Sequence, residues 1–115
     1  MRSLLRGPSA ADDKYSRGVV GFATGSGAYP GAALLGVTAA MRCGVGLVRL
    51  ASDDSVLRLV LEARPECVPV AGDGAAPRCD AWVFGSGVAG DDSTAKTRAD
   101  ALLASIDDSV PLVID

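Results

Sequence analysis

The sequence predicts an α/β fold, a sandwich of helices on a parallel sheet, and three observations carry that expectation. Short apolar runs alternate with longer helical stretches, the order in which parallel βα units are written. Two of those runs open into glycine-rich loops that precede helices. With 14 glycines and only 4% aromatic residues, the core has to form by close approach of Ala, Val and Leu, which suits helices laid on a sheet better than a barrel.

Residues 1–17 read as a polar arm or short capping segment, and residues 18–115 as the folded part. Gly7-Pro8-Ser9 is turn-prone, and Asp12-Asp13-Lys14 precedes the first apolar run. That run, Gly18-Val19-Val20-Gly21-Phe22-Ala23, is too short for a helix and does not alternate, as expected of a strand buried on both faces. It opens into Thr24-Gly25-Ser26-Gly27-Ala28-Tyr29-Pro30-Gly31, where Pro30 suits a first helical turn. The helix expected from about Gly31 to Arg42 is small and apolar nearly all round, which predicts burial rather than amphipathicity. Cys43-Gly44-Val45-Gly46 stops it, and Leu47-Val48-Arg49-Leu50-Ala51 is the second strand.

Asp53-Asp54-Ser55 begins the next helix, which runs to Arg64 and is closed by Pro65, with charges placed to suit the helix dipole. Cys67-Val68-Pro69-Val70 predicts an edge strand, since Pro69 has no N–H for a ladder. Gly72-Asp73-Gly74-Ala75-Ala76-Pro77 is a loop. Ala81-Trp82-Val83-Phe84 is the next buried strand, ending in Gly85-Ser86-Gly87-Val88-Ala89-Gly90. An amphipathic helix over about 93–105 and a last strand over 110–115 complete the order.

Composition bounds the partners. The chain carries 11 Lys and Arg against 14 Asp and Glu, for a net charge of −3, with no basic run; this gives no electrostatic footprint for nucleic acid or an anionic membrane. The N-terminal segment has no sustained apolar stretch, so a signal peptide or membrane span is not expected and a cytoplasmic setting is. Cys43, Cys67 and Cys79 match neither a zinc pattern nor a Cys-x-x-Cys pair and read as reduced thiols in or near the core.

The two strand-to-glycine-loop-to-helix units, around Gly25 and Gly85, carry the functional content. Each aims backbone N–H groups and a helix start at one region, a geometry suited to phosphate or ribose. The packing alternative is a tight connection that merely needs positive φ. Gly85-x-Gly87-x-x-Gly90 has the letters of the dinucleotide fingerprint, which also wants an acidic residue about 20 positions on, at the end of the next strand. Asp107 and Asp108 fall before that strand and Asp115 falls beyond the distance, while Pro30 takes the third glycine position of the first loop. A Rossmann-type dehydrogenase is therefore the second reading.

Lys14-Tyr15-Ser16-Arg17-Gly18, Ala23-Thr24-Gly25-Ser26, Tyr29-Pro30-Gly31-Ala32-Ala33-Leu34-Leu35 and Met41-Arg42-Cys43-Gly44-Val45-Gly46-Leu47-Val48 follow one another in an order that resembles the amino-terminal half of the ADP-dependent NAD(P)H-hydrate dehydratases. Pro65-Glu66, Asp80-Ala81-Trp82-Val83-Phe84-Gly85-Ser86-Gly87 and Pro111-Leu112-Val113-Ile114-Asp115 continue the resemblance. It implies a ribokinase-like fold, a doubly wound, Rossmann-like three-layer sandwich, here an incomplete N-terminal half, and repair of nicotinamide cofactor: hydrated NADH or NADPH is dehydrated, with ADP (or ATP) and Mg2+ as cofactors, by a full-length parent that is a homo-oligomer. Carried over by position, Ala32 and Gly87 would contact the hydrated dinucleotide.

Tyr15, Thr24, Ser26 and Tyr29 are further hydroxyl candidates. Ser86 stands where many members have proline, which predicts a less rigid loop. Packing is the alternative reading of Ala32, small enough to let the helix sit against the strand. The family's histidine-containing substrate loop, nucleotide segment and anion hole lie past the position of Asp115. No catalytic residue and no metal ligand is therefore assigned here, and this chain alone is expected not to turn over. Asp53-Asp54 and Asp107-Asp108 read as helix-start and solvated charges. A small-molecule kinase of the same superfold and a non-catalytic nucleotide-binding half-domain remain alternatives. The last strand would lie inside a complete sheet, so the isolated chain is expected to be marginal or aggregation-prone.

Overall fold

The computed structural model describes residues 9–11, 13, 15–71 and 75–115. Lys14, much of the N-terminal arm and the Gly72-Asp73-Gly74 part of the loop lie outside the described residues. The elements are β1 (Val19–Ala23), α1 (Pro30–Arg42), β2 (Leu47–Ala51), α2 (Asp54–Ala63), β3 (Val68–Pro69), β4 (Ala81–Phe84), α3 (Ser93–Ser105) and β5 (Leu112–Ile114).

The strands form one five-stranded sheet in the order β3-β2-β1-β4-β5. Every pairing is parallel. The chain winds outward from β1 through β2 to β3, then returns to the other flank of β1 with β4. The strand order thus reverses between β1 and β4, and the crevice at their carboxyl ends is where open α/β sheets bind ligands. The glycine loop of a dinucleotide fingerprint belongs after β1; here Gly85-x-Gly87-x-x-Gly90 follows β4, which removes the structural basis of the dehydrogenase reading.

Alternation along the strands divides the core in two. Phe22, Val48 and Leu50 face α1 and α2, where they meet Ala33, Val37, Val56, Val60 and Cys67. Val19, Ala23, Ala51, Trp82 and Phe84 face the opposite side, where they meet Leu102 of α3. Helices on both faces make the expected three-layer sandwich. Trp82 is 1% exposed and lies across Gly21, its neighbour in register: a Cβ on Gly21 would sit 2.5 Å from the indole ring.

The sequence places most elements to within a residue or two, with β3 at an edge as Pro69 requires. Helix α1 differs from expectation. Only Ala33 and Val37 are fully buried, and Leu35 is 73% exposed. A helix covered by the sheet beneath and by α2 beside it still has an outward side, and apolar composition cannot say which residues occupy it. Before β1, Arg17 Nε donates to Gly44 O at 2.9 Å, tying that turn to the end of α1. Asp80 Oδ2 accepts from Val19 N at 2.8 Å, which anchors the start of β1 to the start of β4.

All three cysteines are free, but Cys43 is exposed, correcting the expectation that every thiol lies in or near the core. Cys43 caps α1 after its last turn, where the helix end meets solvent. Burial, with Glu66 adding to it, pushes the Cys67 thiol up to about 11 from 9.0. Burial likewise raises Cys79 to about 11, opposed by Arg49 and aided by Asp80. The thiolate is the nucleophile, so a thiol-directed reagent at neutral pH should modify Cys43 rapidly and the other two only on unfolding. Because the folded pKa of Cys67 lies above the unfolded one, its contribution is intact below 9.0 and is lost as pH rises toward 11. Urea titrations should show Cys67→Ala relieving ~2 kcal/mol of the stability lost across that window.

Candidate functional site

The two glycine loops meet at the carboxyl ends of β1 and β4. Gly25 N donates to Ser86 O at 2.8 Å, and Ser26 Oγ donates to Gly87 O at 2.7 Å. The Ser26 hydroxyl also accepts from Tyr29 N at 3.2 Å, so one buried side chain ties both loops to the start of α1. From behind, Ser52 Oγ donates to Thr24 O at 2.7 Å.

The glycines are required by this closeness. Gly87 has φ +73°, and a Cβ there would run into Ala32 Cβ and lie 2.9 Å from Tyr29 O and 3.2 Å from Gly25 Cα. Gly25 has φ +76°, and its added Cβ would come within 2.8 Å of Ala33 Cβ. The structure therefore brings Ala32 and Gly87 into direct apposition, as one ridge of backbone. Packing is a real part of what both residues do.

The two helix starts differ. Asp92 Oδ1 accepts from Ala95 N at 2.9 Å, so α3 is capped by its own carboxylate. Helix α1 has no side-chain cap and no acidic residue in its first turn. Its N-terminal N–H groups keep the partial positive charge that favours an incoming anion. Both loops have the predicted glycine geometry, but only the first leads into a helix start left free of a carboxylate.

Of the other hydroxyl candidates, Ser26 bridges the loops and Tyr29 is the N-cap of α1 with its side chain exposed. Thr24 is buried and its Oγ1 finds no partner among the described residues. Tyr15 lies exposed in the turn before β1. Ser86, at the position where proline was the alternative, is held through its carbonyl, which accepts from Gly25 N. Sequence reasoning missed Ser52, Asp92 and Arg98. Asp92-Ser93-Thr94 before a helix is a readable cap signal; nothing local marks Ser52 as the support for Thr24.

Asp53 is also more than a solvated helix-start charge. Its Oδ1 accepts from Arg98 Nη2 at 2.8 Å, joining the start of α2 to α3 with side chains 29% and 18% exposed. A double-mutant cycle with Asp53→Asn and Arg98→Met should give a coupling of about 1 kcal/mol, falling with added salt. Arg98 lines two depressions. One, of about 1040 Å³, lies between α2, β3 and α3; the other, of about 390 Å³, is lined by Thr24, Gly25, Gly85 and Gly90 under the ridge. The smaller one adjoins the converging backbone at the reversal of strand order, on the α3 side of the ridge, and Ala32, Gly87 and Tyr29 do not line it. Among the described residues no three His, Cys, Asp or Glu side chains come together.

A sequence model of the NAD(P)H-hydrate dehydratases matches residues 20–115, nearly the whole described sheet. The chain belongs to the NAD(P)H-hydrate dehydratase family. It is 40% identical to the bifunctional NAD(P)H-hydrate repair enzyme Nnr of Mycobacterium leprae, over 94% of this chain and 22% of that protein. It is 35% identical to the ADP-dependent (S)-NAD(P)H-hydrate dehydratase of Xanthomonas campestris, over 76% of this chain and 36% of that one.

Among solved structures, the ADP/ATP-dependent NAD(P)H-hydrate dehydratase of Bacillus subtilis, co-crystallised with ATP/Mg2+, superposes with a TM-score of 0.77 at 25% identity. That match covers 96% of this chain and 41% of the other. A ribokinase-like superfamily protein of Enterococcus faecalis shares the fold with a TM-score of 0.77 at 21% identity, covering 94% and 40%. The ribokinase-like expectation holds, and the chain spans well under half the length of these dehydratase relatives.

Proposed function

We propose that this chain forms the amino-terminal wall of the substrate site of an ADP-dependent NAD(P)H-hydrate dehydratase, with Ala32 and Gly87 against hydrated NADH or NADPH. The observation that supports the reading is the ridge itself: two glycine loops hydrogen-bonded to each other where the strand order reverses, with Gly87 packed on Ala32 beside the uncapped start of α1. Missing side chains let a large ligand approach backbone donors, and the helix start favours its pyrophosphate. ADP or ATP with Mg2+ enters as the family's cofactor set, named for the Xanthomonas and Bacillus relatives. In the whole protein, a cytoplasmic homo-oligomer, these would be held mainly by residues beyond those described.

The chemistry left to this segment is binding and orientation. The sequence has no histidine. Several carboxylates are committed to the fold: Asp53 to Arg98, Asp80 to Val19 N, Asp92 to the start of α3. Elimination of water needs a proton delivered to the leaving hydroxyl, and the described residues place no such acid on the ridge. Calorimetric titration of the chain with hydrated NADH should show saturable binding, and addition of ADP and Mg2+ should regenerate no NADH. No binding would refute the assigned wall; turnover would show that an acid–base group has been overlooked.

A further inference from the structure

We propose that Tyr29 is a substrate-contacting residue whose ring stacks on the adenine of the bound dinucleotide; this deepens the reading above and rests on it. Tyr29 is one of two tyrosines in a chain with only 4% aromatic residues, and it is 60% exposed at the N-cap of α1. Its backbone, by contrast, is fixed on all sides. The N–H bonds to Ser26 O at 3.1 Å and to Ser26 Oγ at 3.2 Å, while its carbonyl oxygen accepts from Ala32 N at 3.4 Å and lies 2.9 Å from where a Cβ on Gly87 would stand.

An aromatic side chain on a pinned backbone, exposed beside the ridge, is a preorganised platform that loses little freedom on binding. Its neighbours leave room for a planar group: a Cβ on Gly27 or Gly31, two positions to either side, would meet no atom within 4 Å. The only close ring pair among the described residues is Trp82 with Phe84 in the core, so the Tyr29 ring has no aromatic partner within the fold. Of the two bases in the ligand, adenine is the one that fits. Hydration makes carbons of the nicotinamide ring tetrahedral, which spoils its flat face, whereas adenine keeps a full π-face for stacking.

The test is calorimetric titration of the full chain and its Tyr29→Ala and Tyr29→Phe variants with hydrated NADH and with the hydrated reduced mononucleotide, which lacks adenine. Tyr29→Ala should weaken the dinucleotide about tenfold while Tyr29→Phe stays within about twofold, since stacking needs the ring and not the hydroxyl. Neither change should alter affinity for the mononucleotide, and Tm without ligand should stay the same. Unchanged dinucleotide affinity in Tyr29→Ala would overturn the inference alone. So would an equal loss in Tyr29→Phe, an equal loss for the mononucleotide, or a lowered Tm, which would give the ring a place in the fold instead. Failure of the unaltered chain to bind either ligand would overturn this inference together with the substrate reading beneath it.

Discussion

Trp82→Ala should destabilise the chain by about 4 kcal/mol, the largest effect of any single truncation in the structure. Trp82 is 1% exposed and stacks on Phe84 with ring centroids 5.8 Å apart. The other buried residues of that cluster are Val19, Ala23, Ala51, Cys79 and Leu102, none long enough to collapse into the space the indole would leave. Gly21 makes the prediction sharper. Gly21→Ala should itself cost about 2 kcal/mol, because the new Cβ lies 2.5 Å from the ring and the indole must shift. In a Trp82→Ala background the same change should be nearly neutral, since the ring it strikes is gone. Urea unfolding followed by circular dichroism gives all four corners of the cycle; fluorescence does not, because Trp82 is the only tryptophan.

That pair also shows what a sequence can and cannot convey. The run from Gly18 to Ala23 reads as a strand from its apolarity, and β1 is found at Val19–Ala23. The reason for a glycine in its middle is invisible until β4 is laid beside it in register. Boundaries were legible wherever punctuation is local: Pro30 at the start of α1, Gly44 just past its end, Pro69 at an edge. What was illegible depends on contacts distant in sequence. The outward side of α1, the exposure of Cys43 and the pairing of Asp53 with Arg98 all follow from how elements stack, which composition and spacing do not encode.

The site divides in the same way. Two glycine loops after buried strands were readable one at a time, and family resemblance singled out Ala32 and Gly87. Their apposition was not readable, because it depends on β4 returning to the flank of β1. Nor was the difference between the two helix starts, which turns on whether a particular carboxylate reaches its own helix. Strand β5 is apolar and exposed, with Ile114 69% and Val113 60% exposed.

Gly87→Ala should cost about 3 kcal/mol and abolish dinucleotide binding at concentrations that saturate the unaltered chain. Two independent terms add: an L-residue at φ +73° is strained, and its Cβ would strike Ala32 and press on Tyr29 O. Ala32→Gly in the same chain should recover part of the stability by removing one struck atom, but not the backbone strain. Gly90→Ala is the control for stability alone, since a Cβ there meets nothing within 4 Å and Gly90 is not among the positive-φ glycines. If Gly87 served only packing, the Ala32→Gly, Gly87→Ala double variant would regain binding in proportion to its recovered stability. If the ridge is the surface on which the substrate lies, a methyl group on Gly87 still stands between ligand and backbone, and urea midpoints will recover further than calorimetric affinities do.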